Sequence, residues 1–291
     1  MSSSKSSGRW IILVVILLFI VFAIYIFRAQ PESKPRHHDH ATHQVSRETG
    51  AAPEPLPSKW GGAYCYGGLP RPSAAFLDTI LVLTNTGYLV GYCEAKKDPA
   101  WVCYRLFSPH SQHAPPRPKE FMPDDRTHVR VLPADYSRSG FDRGHMAPNH
   151  AIAICFGAQA QEETFLMSNV IPQRPHLNRE VWERLEKDEL DRFAQRFGQV
   201  WVVDGPVFGK DQLRGGETVP SACYKIIIEE DQGKPQVLAF EMPQDVAGTE
   251  PEGQFLTTVD KIEHETGLNF FAELPPDIQG ALEHQQAKEM W

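Results

Sequence analysis

The sequence predicts an α+β fold with a largely antiparallel central sheet and flanking helices. Three observations predict it: short β-branched and aromatic runs separated by turn signals, one long helical periodicity after them, and a second group of strand-like runs beyond that helix. No internal repeat is visible.

The elements follow in order. Thr79 to Leu83 and Tyr88 to Cys93 flank the turn signal Thr84-Asn85-Thr86-Gly87, and Trp101 to Leu106 follows Lys96-Lys97-Asp98-Pro99. Three antiparallel strands are expected there. Val181, Trp182, Leu185, Phe193, Ala194 and Phe197 recur at helical spacing from Asn178 onward, and Gly198 follows as a stop. Val200 to Val203, Tyr224 to Glu229 and Gln236 to Phe240 read as further strands, each bounded by Gly, Pro or Asp. A second helix is expected near Thr257 to Thr266, ending at Gly267.

The amino-terminal quarter has a different composition. Trp10 to Phe27 is an uninterrupted apolar run, which as a helix extends about 27 Å and nearly crosses a hydrocarbon core. A cleaved signal peptide is the competing reading, but the run is long for that role and no small-x-small site follows it. With the amino terminus inside, the bulk of the chain lies outside the cytoplasm. From Ala29 to about Lys59 the chain is polar and proline-rich, and it carries the cluster His37-His38-Asp39-His40 with His43. That cluster offers imidazoles to a transition metal, against which stands the reading of a solvated linker. The expected organisation is therefore a cytoplasmic N-terminus (1–9), a transmembrane signal anchor (10–27), a disordered tether (28–59), a globular domain (60–276) and a C-terminal tail (277–291).

Composition narrows the chemistry. Cys65, Cys93, Cys103, Cys155 and Cys223 form no CxxC pair and no Cys/His zinc spacing, so a structural zinc site is not expected. Disulfides and buried free thiols both remain open. Beyond residue 57 the chain has 23 Lys and Arg against 33 Asp and Glu, a net charge of −10. Such a domain is a poor static binder of nucleic acid, although a hydrolase needs only a local cationic groove.

Two motifs carry chemistry. Asp142-Arg143-Gly144-His145 places an acid, a guanidinium and an imidazole around a glycine. A neutral histidine there can serve as general base beside an arginine that binds phosphate, and a surface Asp142–Arg143 pair is the alternative. The second motif is the entrance of the long helix, Ser168-Asn169-Val170-Ile171-Pro172-Gln173-Arg174-Pro175-His176-Leu177-Asn178. Asn178 reads as an N-cap or as an amide ligand for Mg²⁺, an ion that takes few protein ligands and keeps several waters. Glu186 has Trp182, Glu183, Glu189 and Leu190 as helical neighbours, so no basic residue of the helix balances it. Eight residues rise about 12 Å, which leaves Glu186 either holding a metal-bound water or facing solvent.

Taken together, these segments resemble the DNA/RNA non-specific endonucleases with a ββα-metal (His-Me finger) site. The resemblance rests on Trp101 to Leu106, Ala134-Asp135-Tyr136, the stretch Ser139 to Pro148, the stretch Thr164 to Gln173, Asn178 to Glu186, Gly205 to Phe208, and Thr266 to Phe271. It covers roughly Tyr64 to Leu274. It implies a ββα-metal active site, with His145 as general base, Asn178 as protein ligand of Mg²⁺ (with Mn²⁺ as a substitute) and Glu186 holding its water shell. Arg143 and Asn169 match positions that support phosphate binding or site geometry, and Arg126 matches loosely an arginine that stabilises developing charge. His150 is expected to be structural. The implied substrates are DNA and RNA, the membrane is a partner through residues 10–27, and a homodimer is left open. A non-catalytic nucleic-acid-binding module and a phosphodiesterase for small nucleotides are the alternatives.

Overall fold

The computed structural model describes residues 57–108 and 113–291. The apolar run 10–27, the histidine cluster and the tether up to residue 56 lie outside the described residues. Among the described residues no helix is long and apolar enough to cross a membrane.

After a two-residue strand at Arg71–Pro72, which pairs with Leu268–Asn269, the main sheet opens with three strands: β1 (Ile80–Asn85), β2 (Tyr88–Cys93) and β3 (Asp98–Phe107). A short ribbon strand β4 (Asp142–His145) leads to helices α1 (Asn149–Phe156) and α2 (Ala158–Glu163), and β5 (Val170–Gln173) returns to pair with β4. The long helix α3 then runs from Leu177 to Phe197, with wide π-helical turns at Leu177–Trp182 and Glu189–Ala194. Gly198, at φ +80°, ends it, a left-handed conformation that costs glycine little. Strands β6 (Gln199–Gln212), β7 (Thr218–Asp231), β8 (Lys234–Pro243) and β9 (Leu256–Thr257) follow, and helices α4 (Val259–Thr266) and α5 (Pro276–His284) close the chain.

The main sheet has seven antiparallel strands in the order β9-β8-β7-β6-β3-β2-β1. Both faces are buried, and the two-residue period of the strands sorts their side chains between two cores. Val102, Tyr104, Leu106, Val200 and Val202 join one apolar cluster with Val181, Trp182 and Leu185 of α3. Trp101, Cys103, Trp201 and Val203 join the other, with Val259 and Ile262 of α4. Burial on two faces explains why these strands read as near-continuous apolar runs.

Several boundaries move. β6 and β7 extend well past Val200 to Val203 and Tyr224 to Glu229, because Gly205 and Pro206 pair with Tyr224 and Cys223 inside the ladder before a register shift at Val207 and Phe208. The stretch 277–291, expected as a tail, instead folds back: α5 buries Leu282, and Trp291 packs edge-on against Phe193 and Phe197 at ring distances of 5.5 and 5.1 Å. Likewise the end of the expected tether is docked, with Ser58 Oγ and Lys59 N donating to the Glu230 carboxylate at 2.7 and 2.8 Å. All five cysteines are buried free thiols.

Candidate active site

The Asp-Arg-Gly-His run forms β4, and its register against β5 places His145 opposite Val170 at one end and Asp142 opposite Gln173 at the other. Gly144 is required by close approach. A Cβ there would sit 2.0 Å from Gln173 Oε1 and 2.6 Å from its Cγ, and Gln173 is fully buried.

His145 packs against the rings of Phe121 and Phe165, at 5.1 and 5.0 Å, and the two phenylalanines touch each other at 4.8 Å, so the three rings form a triangle. Its Nε2 is buried and has no hydrogen-bond partner. Burial, reinforced by the Arg117 guanidinium, depresses its pKa to about 3, so the ring is neutral at pH 7. Asn169 fixes the backbone just beyond the histidine. Its Oδ1 accepts from Ala147 N at 2.9 Å, and its Nδ2 donates to the carbonyls of Ala147 and Thr164 at 3.1 and 3.0 Å. Fully buried and saturated, Asn169 shapes the site without facing the cleft. The Arg143 guanidinium donates to the Pro133 carbonyl, with Nε at 3.1 Å, and lies over the rings of Phe121 and Tyr136.

Helix α3 supplies the opposite wall. Asn178 Nδ2 donates to Asp142 Oδ2 at 3.0 Å, and Arg179 clasps both oxygens of the same carboxylate at 2.7 and 2.6 Å. The amide is thereby oriented, and Asn178 Oδ1 is the oxygen left to accept. Two turns further, Glu186 Oε1 is buried without a partner. Burial raises the Glu186 pKa to about 8, with Lys225 opposing and Glu189 and Asp204 adding to the shift. The counter-charge that α3 lacks thus comes from β7. Lys225 Nζ lies 2.7 Å from Glu189, 2.9 Å from Asp204 and 2.8 Å from Tyr104 OH, with all these side chains out of solvent.

Arg117, Arg143, His145, Asn149, Asn178 and Glu186 line one cleft of about 490 Å³. His150 stands exposed on its rim. Arg126 is not among the lining residues. Its guanidinium is bound to Asp124 (Nε–Oδ1 2.8 Å, Nη2–Oδ2 2.6 Å), the Thr84 carbonyl and Asn85 Oδ1, and it borders a separate groove with Glu163 and Leu166. Burial pulls the Asp124 carboxyl upward, yet its bonds from Arg126 and Ser168 outweigh this and hold it below the usual carboxylate range. The arginine that the loose match placed at 126 is thus held by these bonds away from the cleft that contains His145. Arg117 occupies the cleft instead, lying over Phe165 at 5.1 Å with Nη1 3.5 Å from Asn149 Oδ1. It comes from the irregular stretch Pro115-Pro116-Arg117-Pro118, where no periodicity marks which side chain turns inward. Its nearness to the histidine is visible only in three dimensions.

Residues 76–277 match the family described as DNA/RNA non-specific endonuclease. A nuclease of Nostoc sp. is 31% identical over 226 residues, covering 73% of this chain and 80% of that protein. The nuclease of Serratia marcescens is 36% identical over 165 residues (52% and 60%), and human mitochondrial endonuclease G is 34% identical over 170 residues (52% and 56%). The chain thus spans little more than half the length of these last two relatives. A crystal structure of an EndoG/EndoGI complex, concerned with the mechanism of EndoG inhibition, matches with a TM-score of 0.61 at 27% identity, over 67% of this chain and 86% of that one.

Proposed function

The chain belongs to the DNA/RNA non-specific endonuclease family, and from that premise we propose that it is a metal-dependent nuclease cleaving phosphodiester bonds of both DNA and RNA. The observation that carries this reading is the meeting, in one cleft, of a neutral imidazole with an amide oriented by Asp142.

The His145 imidazole takes the proton from the attacking water. Its depressed pKa makes it a weak base in the free protein, and an anionic phosphate in the cleft offsets the Arg117 field and raises its basicity. Arg117 and Arg143 face the cleft as the cations that hold the phosphate oxygens. Contacts of this kind read the backbone and leave the bases unread.

The donor set fits a hard divalent ion. Asn178 Oδ1 is a neutral oxygen ligand held in place by Asp142, and the orphaned Glu186 Oε1 accepts from a water of the ion's shell. Mg²⁺, with Mn²⁺ as a substitute, would supply neutralisation of charge on the phosphoryl and leaving oxygens. The apolar run 10–27 supports a tethered enzyme whose catalytic domain lies on the extracytoplasmic side.

Incubation of the full chain with plasmid DNA and with RNA, in Mg²⁺ and in EDTA, tests the reading. Cleavage of both polymers in Mg²⁺ alone is expected. A chain that binds DNA but cuts neither polymer with Mg²⁺ or Mn²⁺ overturns it.

A further inference from the structure

One buried ammonium touches both ends of the helical segment that carries Glu186. In α3 the segment Glu183–Asp188 lies between the wide turns Leu177–Trp182, which holds Asn178, and Glu189–Ala194. Lys225 Nζ lies 4.4 Å from the centre of the Trp182 ring, at the end of the first wide turn. It lies 2.7 Å from Glu189 Oε1, at the start of the second. Lys225, Trp182 and Glu189 are at most 1% exposed, and neither Lys225 nor Glu189 lines the cleft.

The ammonium is itself fixed from the sheet. Lys225 on β7 donates to Asp204 Oδ2 on β6 at 2.9 Å and to the Tyr104 hydroxyl on β3 at 2.8 Å. That hydroxyl donates in turn to Glu189 Oε2 at 2.8 Å. β7, β6 and β3 are the three central strands of the main sheet, so the anchor sits where pairing is complete on both sides.

Apolar contacts alone hold a helix against a sheet but leave its rotation and register loosely specified. A short ion pair with directional hydrogen bonds specifies both, at a desolvation cost that well-packed apolar side chains would avoid. The need is greatest here because a π turn inserts a residue into the helical repeat and redirects every side chain that follows it. Asn178 and Glu186 stand on either side of the end of such a turn, so their mutual direction depends on its staying wide.

We propose that the Lys225–Glu189 pair is a positioning device that brackets Glu183–Asp188, holds Glu186 in register with Asn178, and thereby sets the affinity of the cleft for its divalent ion. This rests on the reading of Asn178 and Glu186 as the groups that hold that ion and its water. Lys225 and Glu189 act through those residues and touch neither ion nor substrate.

Position and charge are separable at Glu189. In Glu189→Gln the amide oxygen can accept from Lys225, and the amide N–H can donate to the Tyr104 hydroxyl, whose proton turns to Asp204 Oδ2, 3.3 Å away. The bracket then survives without the negative charge. Glu189→Ala removes the bracket but leaves Lys225 its Asp204 partner, so no buried charge is stranded.

Mn²⁺ binding to the metal-free full chain, followed by the EPR signal of free Mn²⁺, tests the device without recourse to cleavage. The parent should show a Mn²⁺ site that Asn178→Ala abolishes. Glu189→Ala should weaken that site about 10-fold, the lower end for lost outer-shell partners, and Glu189→Gln should stay within about threefold of the parent. Duplex affinity in EDTA should be unchanged in both. Circular dichroism fixes a temperature at which each variant is folded, and Glu189→Met, which keeps the volume and loses the acceptors, replaces Glu189→Ala if the smaller side chain unfolds the chain. A folded Glu189→Ala or Glu189→Met chain that binds Mn²⁺ as the parent does, with stability alone reduced, overturns the positioning role. Equal weakening by Glu189→Ala and Glu189→Gln overturns it too, because charge then accounts for the effect. A parent without a Mn²⁺ site sensitive to Asn178→Ala brings down the metal reading of the cleft and the bracket with it, so these controls tell the two failures apart.

Discussion

Asn178 Nδ2 donates to Asp142 Oδ2 at 3.0 Å, so the first residue of the Asp-Arg-Gly-His run orients the amide on the facing helix. The ribbon that carries the base therefore also aims the ligand. Asp142→Ala should leave the fold intact but free the Asn178 amide and release Arg179. We expect the Mg²⁺ concentration for half-maximal cleavage to rise about 10- to 100-fold, as for other lost partners of metal ligands. A metal titration of initial rates checks this.

Arg117 and Arg126 should separate cleanly on mutation. Arg117→Ala should lower kcat/KM by about 100-fold or more while changing stability by no more than about 0.5 kcal/mol. Arg126→Ala strips the buried Asp124 carboxylate of its counter-charge and leaves it the Ser168 hydroxyl and the backbone N–H of residue 126. It should cost about 1–3 kcal/mol, discounted because the guanidinium itself is partly solvated, with the activity of the folded fraction preserved. Urea melts and steady-state kinetics on both variants decide.

Gly144→Ala tests the ribbon. The added methyl meets Gln173 Oε1 and Cγ at 2.0 and 2.6 Å in a fully buried position, so the pair of strands must part. A loss of about 1–3 kcal/mol is expected, as for overpacking elsewhere, with a further loss of activity as His145 shifts. Chemical denaturation measures the first and a cleavage assay the second.

The pH dependence of stability carries a specific sign. The folded-state pKa of His145 lies near 3, against about 6.5 unfolded. Between those values the unfolded chain binds one more proton, so this residue's contribution is complete above pH 6.5 and is lost as pH falls toward 3. Its slope is at most about 1.4 kcal/mol per pH unit. His145→Ala should flatten the acid limb of the stability curve by that amount, measured by urea melts in EDTA.

Much of this was legible in the chain itself, and the reasons differ by residue. His145, Asn178 and Glu186 lie in a tight loop-and-strand string or on a strongly periodic helix, where local order constrains placement, and they meet in one cleft. The strands around Tyr88 and Val102 were readable because β-branched runs bounded by turn residues have few alternatives. By contrast, Gly205 and Pro206 read as breakers although the interior ladder holds them, since the pairing that rescues them lies on a distant strand. Lys225 interrupts an apolar strand, and only the fold reveals the acids of α3 and β6 that enclose it. Arg117 and Arg126 are indistinguishable by local pattern, and their roles are separated by the partners that each finds.

The most direct test of the central claim compares cleavage and binding by the full chain and by His145→Ala in Mg²⁺. If the His145 imidazole is the base, the variant should lose about 10²- to 10⁴-fold in cleavage rate while its affinity for the same duplex stays within a few-fold of the parent. Cleavage by His145→Ala within tenfold of the parent rate would contradict the account.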